Sequence, residues 1–410
     1  MKNILISSVN LASVLGVSNA TVDSWVLTGK IKPIKQENNQ LFFDFSSLDF
    51  PDTQLMNNST WDIEHNVKPL KEYKSIELFA GAGGLALGLE KAGFKHVVLN
   101  EFDKDACNTL RKNFPESDII EADIHTIDFT KYRGQIDFLS GGFPCQAFSY
   151  AGNQKGFDDA RGTLFFELAR AIKEIQPKVF LGENVKGLLK HDDGRTFETI
   201  SRVIDELGYY LVPPRVLKAV MYKVPQKRER IFLVGIRKDL ADKVSFNWPS
   251  PYNRVMTLQD AFFSGELFDT DVPYSEGQKY PKRKAEILSL VPQGGNWKNL
   301  PDELQREYMK GSYFLGGGKT GMARRLSLDE PSLTLTCAPA QKQTERCHPL
   351  ETRPLTVREY ARIQTFPDNW HFAGNMTSQY KQIGNAVPVN LANAMGCRLI
   401  QLMNDIEKLC

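Results

Sequence analysis

At 410 residues, with 41% hydrophobic and 24% charged side chains, the chain has the composition of an ordinary globular protein with room for two or three domains. A formal net charge of +2 provides no global field for a polyanion, so any nucleic acid has to be held by local basic patches. Cysteines at 107, 145, 337, 347, 397 and 410 form no CxxC pair. That argues against a structural metal or a secreted disulfide scaffold and for a reducing, cytoplasmic compartment.

The opening "MKNILISSVNLASVLGVSNA" has the early lysine and small closing residues of a signal peptide, but Ser7, Ser8 and Asn10 interrupt its apolar run. It reads as part of a folded domain, and no later stretch approaches the length of a membrane span. Leu11, Val14 and Leu15 predict one helical face, broken at Gly16; Ser18 is placed to cap a second helix carrying Val22, Trp25 and Val26. "IKPIKQENNQLFFDF" then predicts a small hairpin around Glu37-Asn38-Asn39. This stretch resembles the winged helix-turn-helix heads of bacterial regulators, and DNA contact is its expected role, against a small cap or dimerisation module. The helix-turn-helix-like domain is assigned to residues 1–65 and a linker to 66–74, with residues 51–72 read as polar and irregular.

From Ser75 the pattern alternates strand and helix. "KSIELF", "KHVVLNEF", "IDFLSGG", "KVFLGENV" and "ERIFLVGIR" read as strands, and the segments between them as helices. This predicts an α/β fold: a mostly parallel sheet with helices on both faces. The rhythm fails between about 250 and 350, which is rich in Gly, Pro and polar residues. A catalytic domain over 75–250, an inserted irregular domain over 251–350 and a return to the catalytic domain over 351–410 follow.

Gly81, Gly83 and Gly84 lie between a strand and a helix, where bare backbone can approach a ligand; Glu101 ends the next strand, placed to accept the hydroxyls of a ribose. The turn reads G-x-G-G, and no basic residue waits for a phosphate. A nucleoside without phosphates, such as S-adenosylmethionine, fits better than NAD. Asp123, after a further short strand, is placed to meet an adenine amino group.

Cys145 follows Gly141-Gly142-Phe143-Pro144 in a loop after a strand, where such sheets carry their active sites. A thiol there needs a lowered pKa to act as a nucleophile. Glu183 ends the strand "KVFLGEN" at the same edge; half-buried, its carboxyl is expected to have a raised pKa and to offer a proton. Arg228 and Arg230 alternate in "QKRER" and are expected to share one face of a strand.

In order, "FAGAGG", "NEFD", "ADI", "GGFPCQAFS", "GTLFFELAR", "ENV", "PQKRERIFLVG", "RPLTVREYARIQTFPD" and "QIGNAVPV" resemble the motif series of bacterial DNA cytosine-5 methyltransferases of restriction-modification systems. The resemblance covers about residues 75 to 250 and 350 to 395. It implies a Rossmann-like sheet dependent on S-adenosylmethionine, no metal, and an inserted target-recognition domain. It also implies that Cys145 attacks carbon 6 of a flipped cytosine, with Glu183 at nitrogen 3, Asn184 positioning it, Arg230 at oxygen 2, Arg228 in support and Pro144 restraining the loop. The cofactor pocket it implies comprises Phe79, Gly81, Gly83, Glu101, Phe102, Asp123, Ile124, Asn385 and Val387. Gln146 and Ser149 are expected to touch double-stranded DNA on loop closure, and Arg324, Arg325, Lys342 and Arg346 to contact it from the recognition domain. A restriction endonuclease acting on the same site need not bind the chain. No membrane partner is expected; the protein is expected to work as a monomer on DNA, at the nucleoid. Glu77 departs from the aspartate common in the family.

Two other readings compete. A tRNA methyltransferase of the same fold is expected to carry a Cys-Phe-Thr tripeptide, which this chain lacks. A transcription factor with an inactive methyltransferase body is opposed by the intact cysteine, glutamate and arginines.

Overall fold

The computed structural model describes residues 5–37, 40–144 and 164–409. The chain divides into two compact units, each assembled from separated stretches. A sheet unit comprises Thr60–Ala219, Glu229–Pro251 and Val387–Cys410; a second unit comprises Met1–Ser59, Val220–Arg228 and Tyr252–Ala386.

The sheet unit carries an eight-stranded sheet. Its strands are β1 Tyr73–Leu78, β2 Phe94–Glu101, β3 Asp118–Glu121, β4 Phe138–Gly142, β5 Val179–Val185, β6 Tyr209–Leu211, β7 Arg215–Lys218 and β8 Glu229–Arg237. The order is β7-β8-β5-β4-β1-β2-β3, with β6 also pairing β8. Strands β5, β4, β1, β2 and β3 run parallel, whereas β8 is antiparallel to its neighbours. The central strands are mostly buried along their length even where they carry polar residues, as in parallel sheets covered on both faces. Helix α1 (Gly84–Ala92) follows β1, α2 (Lys104–Asn113) follows β2, α3 (Leu164–Ile175) precedes β5 and α4 (Arg195–Glu206) follows it. Helix α3 buries Phe165, Phe166, Leu168 and Ile172, and α4 buries Ile200, Val203 and Ile204; both join one core with Ile76, Leu139, Phe180 and Leu233.

Helix α5 (Val389–Glu407) returns the end of the chain to the helix that follows the glycine turn. A Cβ added at Gly88 would stand 2.3 Å from that of Ala392, and one at Gly396 would stand 2.6 Å from that of Ala92. Glycines facing alanines let α1 and α5 approach closely.

The segment read as an irregular linker is partly helical, which corrects that expectation. Pro51–Asn57 forms a helix in the second unit and Trp61–His65 one in the sheet unit. Glu64 accepts from the backbone of Ser250 at 3.0 Å, and Tyr73 opens β1 by donating to Asn404 of α5 at 2.8 Å. Polar residues here tie elements together rather than solvating a tether.

In the second unit, helices Ser8–Leu15 and Asn19–Leu27 flank Gly16 at φ 71°, with Ser18 accepting from the Thr21 amide. Strands Lys35–Glu37 and Gln40–Asp44 pair antiparallel, and Leu5–Ser7 joins them. Between Tyr252 and Leu350 the unit consists of short helices and turns around a core of Ile287, Leu288, Met309 and Met322. Among the described residues, no helix is long and apolar enough to cross a membrane, and no group of His, Cys, Asp and Glu could hold a metal ion.

Candidate functional site

The glycine turn between β1 and α1 is held by the residue expected to bind a ribose. The Gly81 amide donates to Glu101 Oε2 at 2.8 Å, while Oε1 accepts from the amides of Phe102 and Asp103, each at 2.8 Å. A carboxylate has about four lone-pair sites, so Glu101 is oriented by the backbone and keeps acceptor capacity. Phe79 at φ 57°, Gly81 at 55° and Gly83 at 81° all occupy the left-handed region. For a phenylalanine this stores strain of the kind that collects at ligand sites. Open space faces Gly81, where an added Cβ would meet nothing within 4 Å.

Phe102 extends from the end of β2 with 73% of its surface exposed, an apolar face for a planar ring. Asp123 is also exposed, and hydrogen bonds from the side chain and backbone of His125 hold its carboxyl below the usual range. Ile124 is buried in the sheet core, so its side chain serves packing. Val387 is buried just ahead of α5. Open glycine backbone, an oriented carboxylate, an exposed ring and a second carboxylate fit a nucleoside bearing no phosphate.

Beneath the turn lies a group that the sequence marked only as a departure. Glu77 of β1 is 1% exposed and accepts from Ser140 Oγ of β4 at 3.0 Å. Burial pushes its carboxyl up to about 8, against the bonds from Ser140 and the Ala86 backbone and with a smaller push from Glu183. Because the folded value exceeds the ordinary 4.5, Glu77 contributes most stability below pH 4.5 and loses it as pH rises through about 8. Glu77→Gln should therefore leave the unfolding free energy from urea titration unchanged near acid pH and raise it at alkaline pH, by on the order of a few kcal/mol. Denaturation curves of the two proteins at either end of that window check this; an equal shift at both ends would contradict it.

Strands β4, β5 and β8 converge at their ends on the expected catalytic groups. Glu183 lies opposite Gly142 in the parallel register of β4 and β5, and a Cβ on Gly142 would come 3.0 Å from Glu183 Oε2. The second glycine of "GGFPC" makes room for that carboxyl. Arg230, on antiparallel β8, places Nε 2.7 Å from Glu183 Oε1. Both side chains are largely buried, and burial pushes the Arg230 guanidinium below its ordinary value while Glu183 pulls it back. Glu183 is thus one half of an ion pair with the arginine that the sequence placed at the same site. Asn184 donates from Nδ2 to the carbonyl of Phe143 at 2.9 Å, so it anchors the chain leading into Pro144. Pro144 is exposed; Cys145, Gln146 and Ser149 lie outside the described residues.

Arg228 does not share a strand face with Arg230, a second correction. Gln226–Lys227 pairs with Ser332–Leu333 in a separate two-stranded sheet, and β8 begins only at Glu229. The buried Arg228 guanidinium donates to the carbonyls of Gly384 at 3.0 Å, Asn385 at 3.4 Å and Leu335 at 3.4 Å. Gln364, also buried, donates to the carbonyls of Ile383 and Ala386 and accepts from Gln226 at 2.8 Å. Together they shape the "IGNA" turn that bears Asn385. Sequence reasoning gave Gln226 and Gln364 no role; their only signal was an amide inside each of two motifs.

Of the four expected recognition contacts, Arg325 and Arg346 turn inward. Arg325 is buried and spends its donors on the carbonyls of Val291, Leu288, His348 and Glu351 and on Thr352 Oγ1. Arg346 is buried with its guanidinium pushed down to about 10, bonded to the carbonyls of Glu345 and Thr334. Arg324 pairs with Glu330 at 2.7 Å and donates to Gly294. Lys342 is half-buried and reaches the carbonyl of Met309 at 3.3 Å. The first two are internal ties of the second unit, because an arginine's length reaches carbonyls inward as readily as a groove outward.

The family described as C-5 cytosine-specific DNA methylase matches residues 73–401. Type II methyltransferase M.Eco47II of Escherichia coli is 62% identical over 97% of this chain and 96% of its own length. Type II methyltransferase M.PspPI of Psychrobacter sp. is 58% identical over 98% and 97%. Among solved structures, a prophage-encoded DNA modification methyltransferase of E. coli matches with a TM-score of 0.59 at 26% identity, covering 81% of this chain and all of its own.

Proposed function

The chain belongs to the C-5 cytosine-specific DNA methylase family, and on that premise we propose how its residues divide the work of methylating DNA. It is a DNA cytosine-5 methyltransferase of a type II restriction-modification system, and it uses S-adenosylmethionine. That cofactor supplies an electrophilic methyl sulfonium when bound. The residues suited to hold it are Gly81, Gly83, Glu101, Phe102 and Asp123, with Phe79 and Val387 beside them and Ile124 contributing backbone alone.

Carbon 5 of cytosine is too electron-poor to take a methyl group directly, so covalent catalysis is required. Cys145 Sγ adds to carbon 6, the ring becomes an enamine, and carbon 5 becomes the nucleophile. After methyl transfer a base removes the proton on carbon 5, and the thiolate leaves. Charge develops on the ring during addition and is met at nitrogen 3 by Glu183 and at oxygen 2 by Arg230. The Glu183–Arg230 pair at 2.7 Å carries this reading, since Glu183 sits on β5, beside the strand that leads to Pro144 and Cys145, and Arg230 on β8, the next strand beyond it. Arg230 holds the Glu183 carboxyl in place for nitrogen 3. Asn184 holds the root of the loop through Phe143. Arg228 shapes the turn bearing Asn385 within the second unit. A stacked base cannot reach a thiol, so the cytosine is flipped out, at a cost of a few kcal/mol.

Bisulfite sequencing of plasmid from cells expressing the protein tests the reaction and reports its site. Protected cytosines at one recurring sequence are expected; full conversion of every cytosine would overturn the reading.

The N-terminal helices have a separate proposed role in binding upstream DNA, of this gene or of a neighbouring restriction gene. Exposed Lys30, Lys32 and Lys35 follow the second helix closely and supply the positive charge. Converting all three to glutamate should abolish a gel shift on upstream DNA while leaving methylation of the target site intact. An unchanged shift would defeat the proposal.

A further inference from the structure

Arg170 of helix α3 has no part in the chemistry above, yet all five of its N–H donors find acceptors. It ends the motif "GTLFFELAR" and is half-buried. Nε and Nη2 meet Glu167 Oε2, each at 2.8 Å, and Nη1 donates to Glu174 Oε1 at 3.0 Å. Those carboxylates lie three residues before and four after Arg170 on the same helix face, so they set its direction. The remaining donors leave the helix: Nη2 reaches the carbonyl of Ile124 at 2.8 Å, and Nη1 that of Ile127 at 2.9 Å. Glu174 completes the brace by accepting from the amide of Phe129 at 2.9 Å.

Both carbonyls belong to the short turn that follows Asp123. The chain ahead of Asp123 is fixed as well. Asn100 of β2, 2% exposed, donates from Nδ2 to the carbonyl of Ala122 at 3.1 Å. Its own carbonyl accepts from Ala80, beside the glycine turn, at 3.0 Å. The carbonyls immediately before and after Asp123 are thus both taken by side chains of neighbouring elements. The Asp123 carboxyl is turned by His125, whose amide and Nδ1 both donate to Oδ1, at 3.1 and 2.6 Å. That leaves Oδ2 to accept from a ligand. His125 Nε2 in turn lies 3.9 Å from Glu167 Oε1, on the carboxylate that holds Arg170.

A surface turn ordinarily leaves its carbonyls to water; here a guanidinium, an amide and an imidazole fix one exposed acid. Such fixing matters where a ligand's hydrogen bond must be met without reorganisation. We propose that Arg170 is a positioning residue for the methyl donor. Through the carbonyls of Ile124 and Ile127 it holds Asp123 where Oδ2 meets the exocyclic amine of the adenine, and so sets the preference for a purine that bears that amine. It acts on the donor only through this turn. The role rests on the reading of Asp123 as the adenine contact.

The test uses the full-length protein, its target duplex and two donors: S-adenosylmethionine and the same molecule lacking the 6-amino group. Wild type should favour the amine-bearing donor by about tenfold or more in kcat/KM, the size of a hydrogen bond to a charged group. Arg170→Gln and Arg170→Lys should raise the KM for S-adenosylmethionine, leave that for the other donor nearly unchanged, and so erase the preference. The KM for DNA and kcat at saturating donor should not move. Lysine keeps the charge between Glu167 and Glu174, so that variant should fold, but one ammonium cannot span both carbonyls. Asp123→Ala should lose the same preference, and adding Arg170→Lys to it should change nothing further. Variants that keep the wild-type ratio between donors, or that lose affinity for both alike, would overturn the proposal and leave Arg170 a brace of the fold. A wild-type protein that methylates DNA equally well from either donor would instead refute the reading of Asp123, and the role of Arg170 with it.

Discussion

Cys145→Ala will abolish methylation, by a factor on the order of 10⁴ or more, as loss of a nucleophile does in other covalent enzymes. No other group replaces a sulfur that must both add to and leave the ring. Of the described cysteines, Cys107, Cys347 and Cys397 are buried and Cys337 is exposed. Burial pushes the Cys107 thiol up to about 12 and that of Cys397 up to about 11, which makes both poor nucleophiles. The variant should still bind donor and DNA, because the residues proposed for those tasks are untouched. Bisulfite sequencing beside wild type checks this; identical protection would remove Cys145 from the mechanism.

Glu183→Gln and Arg230→Ala should give unlike failures. Glutamine keeps the shape of the side chain and an oxygen that can accept from Arg230 Nε, but loses the proton for nitrogen 3, so kcat should fall about 10²- to 10⁴-fold with a smaller loss of stability than Arg230→Ala. Removing the guanidinium strands a buried carboxyl, and breaking a buried pair from one side costs about 3–5 kcal/mol. Arg230→Ala should therefore lose both activity and stability. Lysine should restore charge without activity, since it lacks the planar fork that serves carboxyl and ring oxygen together. Single-turnover kinetics with parallel urea titrations separate these outcomes. Equal melting of Glu183→Gln and Arg230→Ala would contradict the paired geometry.

What the sequence made legible follows the range of each constraint. The glycine turn and Glu101 could be read because a left-handed turn after a strand is a local demand on the backbone, and the Gly81–Glu101 bond closes over only two elements. The pairing of Glu183 with Arg230 was hidden because it depends on β8 running antiparallel beside β5. Arg228 was misassigned for a similar reason. The alternation of "RER" looks like a strand, but the partner that takes Gln226–Lys227 into another sheet is Ser332–Leu333, more than a hundred residues on. Arg325 and Arg346 show that a basic residue in a polar segment says nothing of which way it reaches. Trp61–His65 is a helix where composition promised a tether, and the partners of Glu64 within it lie at residues 250 and 398.

The covalent step can be caught directly. Incubated with S-adenosylmethionine and DNA carrying 5-fluorocytosine at its own target, the protein should form a denaturant-stable complex, since fluorine on carbon 5 cannot leave as a proton does. Peptide mass spectrometry should place the pyrimidine on Cys145. A folded, donor-binding sample that forms no adduct, or forms one on another side chain, would contradict the account.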